Sequence, residues 1–195
     1  MANLDRPTGF SPVKNLNGSP WNGKGNIYYI PATDGTATFI GDAVKSAGSA
    51  DATGMYPTVA QAAASEAIRG VIIGFGLDPY IMVNPDNLNM KYRLASTAMY
   101  CLVVDDPFVI FEIQEDSVAN YIAATMVGLS TDIVVGSGST TTGKSAMELD
   151  SSDTATAAGQ CKILRAVNRP DNALGNHCKW EVTIIEHEML LSTDV

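Results

Sequence analysis

Short runs of β-branched and aromatic residues recur along nearly the whole chain, and each is cut off by Gly, Pro, Asn or Asp before it could wind into a long helix. That punctuation forces many short strands joined by turns. The strongest run, Ala-Ile-Arg-Gly-Val-Ile-Ile-Gly-Phe over residues 67–75, carries Gly70 and Gly74, which mark bulges or close backbone approach, and it is expected at the centre of a sheet. Composition agrees: apolar residues make up 46% and charged residues 17% of 195, with 17 glycines, a balance of turns and small side chains. The fold class expected is mainly β, an antiparallel β-barrel or sandwich with one short helix and an extended N-terminal arm.

Residues 1–26 are dense in Pro, Gly and Asn, so they read as the arm, with Phe10, Val13, Leu16 and Trp21 as isolated anchors and Tyr28 and Tyr29 near its base. Residues 27–195 then form a single β-rich domain. Strands are expected over 27–30 and 36–40 as a hairpin across the Pro31 to Gly35 turn, and over 91–94, 98–104 and 108–114 as a meander. Residues 78–90 read as a loop. Val118, Tyr121, Ile122 and Met126 recur at helical spacing, which predicts the one helix over 117–126, capped by Asp116 or Ser117. The last strands are expected over 132–135, 145–149, 161–167 and 177–188.

Residues 138–145 read Gly-Ser-Thr-Thr-Thr-Gly-Lys-Ser and match the phosphate-cradling loop pattern in full. In such a loop Gly138 and Gly143 would open the backbone to phosphate, Lys144 would reach the outer phosphates and Ser145 would ligate Mg²⁺. The chemistry requires a helix after the loop, with its N-terminus toward the anion. Here Met147 and Leu149 alternate with Glu148 and Asp150, which is a strand period. A loop between two strands is therefore expected, and a nucleotide site at Gly138, Gly143, Lys144 and Ser145 is the alternative.

Other chemistry-bearing residues are sparse. His177 and His187 would lie about 33 Å apart on one extended strand, too far to share a metal, and Glu186 and Glu188 would face away from His187. No metal, cofactor or catalytic residue is expected, and the strand is read as turning its polar residues outward at a sheet edge. Asp105, Asp106, Glu112, Glu115 and Asp116 are read as turn carboxylates, while Arg165 and Arg169 could serve an intersubunit pair or the body itself. Cys101, Cys161 and Cys178 lack metal or redox spacing and are expected as buried thiols. The formal charge of −9 would repel nucleic acid and anionic lipid, so neither is expected as a partner. The opening residues have no apolar signal core, which leads us to expect synthesis in a cytoplasm.

Four segments carry a resemblance: Met-Ala-Asn-Leu-Asp-Arg-Pro-Thr-Gly-Phe-Ser-Pro-Val at residues 1–13, Leu-Asn-Gly-Ser-Pro-Trp-Asn-Gly at 16–23, Phe-Glu-Ile-Gln-Glu-Asp at 111–116 and the Arg-Pro-Asp-Asn loop at 169–175. Together they resemble virion proteins of tailed bacteriophages, in particular capsid decoration or cement proteins. The resemblance implies a structural virion protein on the capsid exterior. Such a protein would bind the major capsid protein and itself as a homo-oligomer, a trimer in preference to a dimer, and would have no enzymatic activity. A tail or receptor-binding virion component is a further alternative. Phe10, Val13, Leu16, Trp21, Tyr28 and Tyr29 are the expected partner interface.

Overall fold

The computed structural model describes residues 3–76, 91–118, 120–154 and 159–190. The expected loop over 78–90 lies outside them. Among the described residues the chain is almost entirely β, and the short runs seen in the sequence become two main sheets.

The first sheet is antiparallel and holds β1 (Ser11–Asn15), β9 (Val109–Gln114), β14 (Lys179–Ile184), β13 (Cys161–Ala166) and β10 (Ser130–Thr131), in that order. Its period is plain in β14, where Trp180, Val182 and Ile184 are buried while Lys179, Glu181 and Thr183 are half-buried on the other side. β9 sends Phe111 and Ile113 to the same interior.

The second sheet closes into a barrel of β2 (Asn26–Ile30), β5 (Pro57–Gln61), β4 (Ala43–Ala50), β6 (Gly70–Phe75) and β8 (Met99–Val104). β2 and β5 run parallel and the remaining pairs antiparallel. Closure leaves this sheet without open edges. β6 lies between β4 and β8, with its bulge between Ile72 and Gly74. The barrel lumen is filled by Tyr28, Ile30, Val44, Val59, Ile72, Cys101 and Val103. Strand alternation turns Ala43, Val71 and Val104 the other way, into a larger core shared with the first sheet. Two small pairs complete the body: β3 (Thr38–Phe39) with β7 (Tyr92–Arg93), and β11 (Ile133–Val134) with β12 (Glu148–Leu149).

The structure corrects several sequence expectations. Ser11–Asn15 pairs with β9, and Phe10 lies in the main core, its ring edge-on to Phe111 at 5.7 Å. The N-terminal segment is thus part of the sheet rather than an arm standing off it. Gly9 and Gly41 make that docking possible: the Phe10 amide donates to the Gly41 carbonyl at 2.9 Å, and a Cβ on Gly9 would lie 2.4 Å from that same oxygen. β2 and β3 do not form a hairpin, because β2 pairs with β5 and β8 while β3 pairs with β7. For the same reason β7, β8 and β9 are no meander, each joining a different partner set.

The expected helix over 117–126 is reduced to a single 3-10 turn at Ala124–Met126. A buried carboxylate explains the loss. Glu115 is fully buried and accepts hydrogen bonds from the Ile122 amide and, at 3.2 Å, from the Ser117 hydroxyl, so the chain wraps around it as a loop. Ser117 adopts a left-handed φ of 55°, and Val118 and Tyr121 point outward while Ile122 and Met126 pack on the main core, so the four apolar residues do not share one face.

Candidate functional site

The six residues expected as a partner interface separate into a buried and an exposed group. Phe10 and Tyr28 are 2% and 3% exposed and belong to the chain's own cores, which corrects their assignment. The Tyr28 hydroxyl donates to Asp105 at 2.7 Å and accepts from the Arg69 guanidinium at 2.8 Å. Burial and the Asp105 carboxylate push this phenol up to about 12, so it stays protonated as a donor. Tyr29 packs its ring against Tyr100 at 5.1 Å, and half-buried Trp21 packs on the main core while its indole donates to the Lys24 carbonyl at 3.3 Å. Val13 and Leu16 remain exposed, at 40% and 54%.

Leu16 begins a tight turn that folds the chain back along the outer edge of β1. The Asn15 amide donates to the Ser19 carbonyl at 2.8 Å, and Lys14 forms a bridge with Pro20. On its other side the Leu16 amide donates to the Phe108 carbonyl at 2.7 Å. This bond brings a second exposed apolar side chain alongside, since Phe108 is 54% exposed at the tip of the turn capped by Asp106. Three surface concavities of about 450, 570 and 410 Å³ adjoin this turn, and Asn15 lines all of them. Phe108 was missed in the sequence. The signal available was an aromatic directly after the Asp105-Asp106-Pro107 turn, where exposure is the rule.

Residues 138–145 form a closed turn. The Ser139 amide donates to the Lys144 carbonyl at 2.9 Å, the Gly143 amide to the Ser139 carbonyl at 2.7 Å and the Ser145 amide to the Ile40 carbonyl at 2.9 Å. The Thr142 and Lys144 amides donate to the Ser139 and Thr142 hydroxyls. The amides of Ser139, Thr142, Gly143, Lys144 and Ser145, which would help cradle phosphate, are therefore already engaged. Ser145 is buried, its hydroxyl accepting from the Met147 amide at 2.9 Å beside Asp42, and the chain continues into β12 instead of a helix. The glycines have other reasons: a Cβ on Gly138 would lie 2.3 Å from the Phe39 ring, and Gly143 has a φ of +73° against the Lys91 carbonyl. Lys144 is exposed.

The remaining sequence candidates find partners within the chain. Arg169 meets Glu112 at 3.0 Å and Arg165 meets Glu181 at 2.8 Å, so both serve the body. His187 is buried rather than outward-facing, 1% exposed; desolvation and Arg69 hold its imidazole below the usual range, and its Nδ1 accepts from the Met189 amide. All three cysteines are buried thiols, with Cys101 pushed by burial up to about 12 and Cys178 to about 11.

One cluster had no counterpart in the sequence reading. Asp5, Glu148 and His177 each offer a ligand atom within 4.8 Å of the others. The Gln114 amide nitrogen donates to Asp5 at 3.1 Å and to Glu148 at 3.0 Å, so one neutral group holds two carboxylates together. Burial pushes Glu148 up to about 7 against the pull of Gln114, and the carboxylates of Asp5, Asp116 and Glu115 add to the rise. No periodicity or short motif links positions 5, 148 and 177; only the fold joins them.

Neither a protein-family model, nor a curated protein, nor a solved structure matches this chain.

Proposed function

We propose that this chain is a structural virion protein of a tailed bacteriophage, which binds the outside of the assembled capsid and stabilises it across capsomer boundaries. The observation that carries this reading is the exposed apolar pair of Leu16 and Phe108, which line one surface concavity together, with Val13 also exposed in the same segment. Exposed apolar groups beside open surface concavities suit docking onto another protein better than holding a small substrate. The acidic charge of −9 suits an outer face, away from packaged DNA. Copies repeated by the lattice would let an interface of modest strength hold firmly, because each engaged copy raises the effective concentration of the next contact. Self-association as a trimer, in preference to a dimer, fits three-fold lattice positions. No catalysis is required of it.

The test is to purify particles from cells carrying the gene and ask where the chain is. The expected result is stoichiometric copies on the capsid exterior by electron cryomicroscopy, touching the major capsid protein through the turn at Leu16 and Phe108. Its absence from particles overturns the reading. Density confined to the tail would favour the receptor-binding alternative instead.

A further inference from the structure

The Asp5, Glu148 and His177 cluster draws on three segments remote in sequence: the N-terminal residues before β1, strand β12 and the loop leading into β14. Each ligand is held by its own local structure. Asp5 and Glu148 share the Gln114 amide as donor, which orients the carboxylates in the way outer partners orient metal ligands. His177 sits at a left-handed φ of 58°, fixed by its own amide donating to the Ser117 hydroxyl at 2.6 Å. That backbone aims the ring into the cluster.

The imidazole Nδ1 is the informative atom. That atom has no accessible surface and no hydrogen-bond partner, although the side chain as a whole is 27% exposed and Asp5 Oδ1 lies 3.9 Å away. That distance is too long for a hydrogen bond, yet two ligands of one metal ion commonly stand somewhat closer than this. A shielded nitrogen without a partner is costly unless something completes it. Two carboxyl groups drawn together beside it on the shared Gln114 amide favour a cation as that completion.

We infer that Asp5, Glu148 and His177 form a binding site for a first-row divalent cation such as Zn²⁺, held by two carboxylate oxygens and the His177 Nδ1. The nitrogen ligand selects zinc-like ions over Ca²⁺ and Mg²⁺, which prefer oxygen alone. Zinc bonds of about 2.0–2.2 Å require the three atoms to close in from their present spacing. Asp5, whose side chain is 62% exposed, has the freedom to do so. The bound ion would tie the N-terminal segment to β12 and to the loop before β14. This site lies apart from the docking turn and does not rest on the virion reading.

The test uses the full chain, stripped with chelator and titrated with Zn²⁺ by calorimetry, then with Co²⁺ by absorption spectroscopy. Expected are one equivalent of Zn²⁺, a raised melting temperature, and affinity lowered more than tenfold in both Asp5→Asn and His177→Asn, in keeping with the loss of a ligand. Asparagine tolerates the left-handed backbone at 177, and Asp5 is exposed enough that its variant keeps the fold, so it decides if the other does not fold. Ca²⁺ and Mg²⁺ should not substitute. Absence of Zn²⁺ binding, binding unchanged in Asp5→Asn, or a thiolate-to-cobalt charge-transfer band pointing to the cysteines would each overturn the inference.

Discussion

Arg93 is the residue on which the most loop structure converges. It is fully buried, and its guanidinium donates to four carbonyls, those of Thr97 and Thr36 at 2.6 Å, Asp34 at 2.8 Å and Pro31 at 2.9 Å. Lysine cannot spread donors across four directions, and methionine leaves every carbonyl unanswered. Arg93→Met should therefore lower stability by about 3–5 kcal/mol in urea unfolding, with Arg93→Lys recovering only part of the loss. Glu148 makes a second prediction at this scale. Its folded pKa, about 7, lies above the ordinary value of 4.5, so the folded state holds a proton that the unfolded state has released. Its contribution is fully present below pH 4.5 and is lost as pH rises toward 7. Metal-free protein should lose stability across that window, and Glu148→Gln should flatten the slope measured by unfolding at several pH values.

At the scale of elements, β1 shows how a turn-rich composition can hide a strand. Pro12 interrupts the run, and the register shifts between Pro12 and Lys14, yet pairing with β9 and the burial of Phe10 hold the segment in place. Phe10→Ala should cost about 3–5 kcal/mol, since the ring leaves a core cavity, and denaturant unfolding will read it directly. An arm would lose almost nothing. The loop over 138–145 gives the opposite case, a motif with strong sequence identity and the wrong surroundings. Lys144→Ala should leave stability within about 0.5 kcal/mol, and calorimetry with Mg²⁺-ATP should show no binding to either form. Strands such as β14 were legible because their side chains alternate strictly between core and rim. The helix over 117–126 was misread because spacing alone cannot reveal that Glu115 captures the Ile122 amide.

For the molecule as a whole, stability and docking reside in different places. The two cores take up Phe10, Tyr28 and Trp180, whereas Leu16 and Phe108 stand outside both. A double variant, Leu16→Asp with Phe108→Asp, should therefore keep the unfolding midpoint of the parent while binding to capsids is lost. If capsid binding survives unchanged, the turn is not the docking surface. Of the two sheets, one carries a like-charge pairing on its surface. On the first, Glu112 stands directly opposite Glu181, a repulsive pairing offset by Lys14 and Arg165 on Glu181 and by Arg169 and Lys179 on Glu112.

The sequence by itself determined the β character, the approximate places of most strands and the burial of the thiols, because alternation, turn residues and side-chain size are local properties. Tertiary structure alone decided which strands pair, that one set closes into a barrel, that the N-terminal segment joins the other sheet, and that Asp5, Glu148 and His177 meet. Pairing partners and convergent side chains depend on long-range closure, in which a buried carboxylate or a pair of facing glycines outweighs local preference, and no window along the chain contains both halves of such a contact.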